Sequence, residues 1–191
     1  MPTDNPTVQP FDLANEAGYQ AWRAARLDHY PATAADQVVR IGTAAAHTEQ
    51  ERAAILRCCS RSNLAIYEVT GGDETDKTTL RAFGRQFGLA TLDMNLRADE
   101  DSITSLRVVE TGGGTHYIPY TNRPLNWHTD GYYNRLDEQV RGIVMHCVSV
   151  SASGGDNLFL DPEIAYLLLR DENPEYIRAL MQPDAMTIPA N

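Results

Sequence analysis

The chain has 191 residues, 42% hydrophobic and 22% charged, which suits one globular domain with a real core and excludes disordered or membrane-embedded character. A net charge of -10, with no Lys/Arg cluster, argues against a nucleic-acid partner. Three cysteines without framework spacing, and an N-terminus lacking a basic and then apolar leader pattern, point to a reducing, cytoplasmic setting with no membrane anchoring.

Residues 1–10 carry three prolines and little apolar material and read as a flexible N-terminal arm; residues 11–191 read as a single domain. Asp12 is suited to cap a first helix through Tyr19, Trp22, Ala25 and Leu27, ending before Pro31. Thr48 and Glu51 have capping-box spacing and open a second helix over 49–60, broken at Asn63. Leu64 to Val69 is a short β-rich run, followed by a Gly71-Gly72 turn. A third helix spans about 76–87, with Leu80, Phe83 and Phe87 on one stripe and Gly88 as its stop.

From Ile103 the pattern changes to short strands at 105–109, 117–120, 125–133, 141–149 and 157–160, separated by Gly-, Asn- and Pro-rich turns that include Gly154-Gly155-Asp156. Asp161 with Pro162 then starts a helix over 162–169. Strands at this spacing indicate a barrel or jelly roll, yet about five fall short of the eight such a fold commonly uses. The fold class is therefore α+β with a mainly β core, incomplete in this chain.

The chemistry concentrates in Asn126-Trp127-His128-Thr129-Asp130-Gly131. In an extended segment residues i and i+2 share a face, so His128 and Asp130 can grip one metal ion together. An imidazole and a carboxylate are two of the three donors in the 2-His-1-carboxylate triad of non-haem Fe(II) oxygenases. The bland alternative is an exposed His-x-Asp that binds nothing. Tyr117, Tyr120, Tyr132 and Tyr133 surround the motif; packing on a sheet is the simpler role for them, and caging a cationic ligand the sharper one.

Together with Val144-Met145-His146-Cys147-Val148 and the run Gly154-Gly155-Asp156-Asn157-Leu158-Phe159-Leu160-Asp161, this motif resembles the TauD/TfdA family of Fe(II)- and 2-oxoglutarate-dependent dioxygenases. Leu64 to Val69 and Leu80 to Gly88 resemble that family's entry strand and helix, so the resemblance covers about residues 60–170 in family order. It implies a clavaminate synthase-like double-stranded β-helix with the N-terminal helices packed outside, with His128 and Asp130 as iron ligands and catalytic residues, Fe(II) as cofactor and 2-oxoglutarate as co-substrate. Trp127 would pack beside the metal. Asn157 stands where relatives often carry a threonine that bonds the distal carboxylate of 2-oxoglutarate, and its amide can donate the same bond.

In the family, the third ligand, a histidine, and the arginine that pairs with 2-oxoglutarate lie farther beyond the His-x-Asp pair than the 61 residues that follow Asp130 here. His146 falls in the next expected strand and reads as a core or pocket-wall residue; Arg141 and Arg170 can pair with a carboxylate in principle but match no family position. Three expectations follow. The chain is an oxygenase subunit acting on a small molecule, with a second polypeptide supplying the distal His and Arg; or it is a piece of a longer single-chain enzyme; or it is a non-catalytic structural or regulatory relative.

Overall fold

Helix-start chemistry explains most of the regular structure. In the computed structural model, residues 9–72, 76–93, 102–109 and 116–187 are described. They form five α-helices and one two-stranded sheet, in place of the expected mainly β core. They divide into two compact units, Met1–Asp73 with Ser149–Asn191, and Glu74–Val148.

In the first unit, α1 (Glu16–Asp28) begins at Asn15, whose side chain accepts from the Gly18 N–H. The cap is thus not Asp12, whose carboxylate instead accepts from Ala14 N–H one turn earlier. Strand β1 (Val38–Ile41) was not expected; it pairs in parallel with β2 (Ile66–Val69), Val38 opposite Ile66 and Ile41 opposite Val69. Between them runs α2 (Glu49–Ser62), opened by the Thr48/Glu51 capping box and closed by Asn63 in the left-handed conformation, φ 56°. A helix is the usual crossover for two parallel strands, because no tight turn can reverse the chain between them.

Asp161 caps α4 (Pro162–Glu172), and Asn173 caps a further helix, α5 (Pro174–Leu180), with proline at the first position of each. Tyr19, Ile41, Ile55, Leu167 and Ile177 are buried together with Val39 and Ala44 as the apolar core of this unit. Beside them Phe11, Tyr19, Trp22 and Tyr166 form an aromatic cluster with ring centroids 5.1 to 6.3 Å apart, within the range of favourable edge-on and tilted contacts.

Asp161 also joins three helices. Its carboxylate accepts from Arg26 Nη2 of α1 (2.7 Å), from Asn63 Nδ2 at the end of α2 (2.9 Å) and from the Glu163 N–H of α4 (2.9 Å). Arg170 is spent in the same manner: Nη1 donates to Pro10 O (2.8 Å), Asp12 O (3.3 Å) and Tyr166 Oη (2.8 Å), Nη2 reaches Glu16 (3.3 Å), and the guanidinium lies 3.9 Å from the centre of the Tyr19 ring. Such a side chain is structural rather than a receptor for a co-substrate carboxylate. Of the expected arm, residues 1–8 lie outside the described residues, and Pro10 is bound as above.

In the second unit, α3 (Lys77–Gln86) starts at Asp76, buries Phe83 against Phe87 (centroids 5.0 Å apart) and stops at Gly88, φ +85°. The segments expected as strands over 105–109, 117–120, 125–133 and 141–149 form no strand among the described residues, and neither does 157–160 in the first unit. Val109 N–H donates to Tyr120 O (2.9 Å), but Ile118–Tyr120 and Leu136–Glu138 are single 3-10 turns and no ladder follows. A strand requires a neighbour for its N–H and C=O groups. These segments instead turn apolar side chains outward: Leu106, Val108, Leu125, Ile143, Met145 and Val148 are each about half exposed or more. No described helix is long and apolar enough to cross a membrane.

Candidate metal centre

His128 and Asp130 both belong to the second unit, in a stretch without regular structure that enters a turn at Asp130. The pair comes together as the spacing implies, although not on a strand: His128 Nε2 lies 3.2 Å from Asp130 Oδ1. His128 Nδ1 lies 2.8 Å from the Asn126 carbonyl oxygen. A carbonyl only accepts, so this contact assigns the ring proton to Nδ1 and leaves the Nε2 lone pair facing the carboxylate. Two acceptors facing each other at that distance repel unless a cation lies between them, either a proton on Nε2 or a metal ion.

The donor set fits a metal. Histidine ligands commonly donate their second ring N–H to a backbone carbonyl, which fixes tautomer and ring orientation. Two adjacent donors, each about 2.1 Å from one ion, stand about 3.0 Å apart at a right angle, close to the spacing observed. The side chains are 38% and 56% exposed, so an ion and further ligands can reach them. No group of three or more His, Cys, Asp or Glu side chains suited to a metal occurs among the described residues.

The turn after Asp130 is fixed by contacts the motif itself did not reveal. Asn134 N–H donates to Gly131 O (2.9 Å), and Asn134 Nδ2 donates to Asp93 Oδ1 (2.9 Å) and to Glu138 O (3.0 Å). Gly131 takes φ +68°, a conformation that favours glycine, and a glycine directly after the carboxylate was the one available sequence signal for it. Tyr132 and Tyr133 meet edge-on with centroids 5.2 Å apart, and both are more than half exposed. Burial first, then the charges of Asp93 and Asp130, hold the Tyr133 phenol above its ordinary range.

The remaining histidines add no third donor to this pair among the described residues. Trp127, expected to pack beside the metal, is 67% exposed. His146 is half-buried, His116 is exposed, and His29 pairs with Asp28 at 2.9 Å. Asn157 belongs to the first unit, where its Nδ2 makes a long contact with Gly155 O (3.5 Å) in the expected Gly154-Gly155 turn. None of the three cysteines is in a disulfide.

A uridine-5'-phosphate dioxygenase from Streptomyces sp is 30% identical to this chain over 87 residues, which make up 46% of this chain and 31% of that enzyme. The match thus spans about a third of the length of its curated relative. No solved structure matches the chain. The model of the family described as taurine catabolism dioxygenase TauD, TfdA matches residues 31–191, which takes in all of the second unit and the first unit beyond α1. On that match the chain belongs to the TauD/TfdA dioxygenase family.

Proposed function

We propose that this chain carries two of the three protein iron ligands of an Fe(II)- and 2-oxoglutarate-dependent dioxygenase, His128 and Asp130, and that it oxidises a small molecule, most simply by hydroxylation. The single observation behind the reading is the 3.2 Å His128–Asp130 pair with its Nδ1 proton held by Asn126 O, in a chain of this family. Fe(II) bound with 2-oxoglutarate supplies dioxygen reduction coupled to co-substrate decarboxylation, which releases succinate and CO2.

The chain's own part is placement. His128 presents Nε2 and Asp130 presents Oδ1 toward one point, and the hydrogen bond to Asn126 O keeps the imidazole from rotating away. Asn157 is the proposed amide donor to the distal carboxylate of 2-oxoglutarate; its contact with Gly155 O is long and leaves amide hydrogens to give. The third ligand and the carboxylate-binding arginine come, on this proposal, from outside residues 1–191, on a second polypeptide or on a further segment of the same chain. The outward apolar side chains of the segments expected as strands support this, since the family's jelly roll buries such residues between its sheets.

The test is oxygen-dependent succinate formation from 2-oxoglutarate by the protein purified natively with whatever accompanies it. Uridine-5'-phosphate, the compound in the relative's name, is the first substrate to supply. Substrate-stimulated succinate that disappears in His128→Ala and Asp130→Ala is the expected result. Unchanged succinate in both variants would refute the assignment, and native protein with neither succinate nor iron would favour a non-catalytic member of the family.

A further inference from the structure

The turn that begins at Asp130 is closed by a side chain that is missing. A Cβ built on Gly131 would lie 2.5 Å from Val140 Cγ2, 3.2 Å from Val140 Cβ and 3.3 Å from Asn134 Nδ2. Ordinary van der Waals contact begins at 3.4 Å, so any L side chain at 131 must push Val140 back by nearly an ångström. Val140 is half-buried and β-branched, with few rotamers to escape into. At φ +68° the same side chain is also disfavoured by its own backbone.

We infer that Gly131 is a positioning residue for the metal centre: its bare Cα lets Val140 and Asn134 close the turn, and the closed turn holds Asp130 Oδ1 against His128 Nε2. The inference rests on the proposed metal-binding role of that pair. The magnitudes favour it. Ligand constellations must be held within about 0.5 Å to work, and a methyl group on the residue adjoining the carboxylate would sit nearly an ångström inside ordinary contact with Val140. Asn134 works from the other side, because its Nδ2 ties the turn at once to Asp93 and to the Glu138 carbonyl.

The experiment uses Mn(II) alone as probe and the full chain, following paramagnetic broadening of the His128 imidazole NMR signals, assigned by their loss in His128→Ala. In the parent chain, Mn(II) broadens those signals. In Gly131→Ala the midpoint rises by about tenfold, the lower range for loss of outer support at a metal site. Val140→Ala added to Gly131→Ala removes the clashing methyl and restores part of the affinity, the positive φ remaining, which a merely structural loss would not allow. Asn134→Ala, which demands no strained backbone, also raises the midpoint and serves where Gly131→Ala folds poorly by circular dichroism.

A parent-like midpoint in Gly131→Ala or in Asn134→Ala overturns the positioning role while leaving the pair standing. Equal weakening in Gly131→Ala and in the double variant overturns transmission through Val140, and with it the proposal. Silence of His128 toward Mn(II) in the parent chain is a different failure, since it removes the metal-binding reading on which the inference rests.

Discussion

Removing the Asp161 carboxylate would undo a three-helix junction, and its cost follows from burial. The side chain is 2% exposed and that of Arg26 is 8% exposed, with Arg26 Nη2 2.7 Å from Asp161 Oδ2. Breaking one side of a buried pair costs about 3–5 kcal/mol, and losing an N-cap about 1 kcal/mol. Arg26 keeps a second partner, Glu163 Oε2 at 2.8 Å, and a carbonyl, Ser60 O at 3.0 Å, which places Asp161→Ala near the lower end, about 3 kcal/mol. Asp161→Asn retains an oxygen to cap α4 but not the charge, and should cost about half as much.

Glu68→Ala is the control: its pair with Arg40 is 77% and 53% exposed, and losing such a pair costs about 0.5 kcal/mol or less. Urea unfolding read by Trp22 fluorescence in a Trp127→Phe background reports on the first unit and gives all three values, since the chain has two tryptophans. An Asp161→Ala cost no larger than that of Glu68→Ala would refute the role of the junction.

Tyr19 supplies a pH signature. Its hydroxyl donates to Asp171 Oδ1 (2.7 Å) and Leu167 O (3.2 Å), and burial, followed by the hydrogen bond to Asp171 and that carboxylate's charge, pushes its pKa up to about 12. A raised pKa means that the unfolded chain loses the proton first. The Tyr19 contribution is therefore whole below pH 10 and drains away between pH 10 and 12, about 2.7 kcal/mol in all; Tyr19→Phe should lack that part of the slope in alkaline urea titrations, and an identical slope would contradict the assignment. Thr48→Ala removes the hydroxyl that accepts from the Glu51 N–H (3.2 Å) and should cost about 1 kcal/mol in the same urea assay, whereas no change would mean that Glu51 holds the start of α2 unaided.

Helix ends were legible because their chemistry is local. Thr48 with Glu51, Asp161 with Pro162, and Asn63 all act within one turn of chain, and each stands where the sequence indicated, whereas the cap of α1 falls to Asn15 rather than Asp12. Non-local features were not. β1 is four residues whose partner lies 28 positions away across α2, so nothing within its own window distinguishes it. Asn173 both ends α4 and caps α5, because proline at a first helical position costs nothing.

The centre shows the same division. The His128-x-Asp130 spacing was sufficient to find the pair, but the expectation of a strand beneath it assumed neighbouring strands that the described residues do not contain. Arg170 illustrates the opposite limit: its charge allowed pairing with a carboxylate in principle, and only its partners reveal a structural role. The Gly131–Val140 approach joins residues nine apart through a turn, and the glycine alone hinted at it.

The most direct test of the central claim is the iron content of natively purified protein, parent against His128→Ala and Asp130→Ala, handled without oxygen. Both side chains are well exposed, so neither variant should shift stability by more than about 0.5 kcal/mol, and iron loss will not be a by-product of unfolding. One iron per chain in the parent, lost in each variant, is the predicted result. Iron retained by both variants, or iron-free parent that still converts 2-oxoglutarate to succinate, would contradict the account.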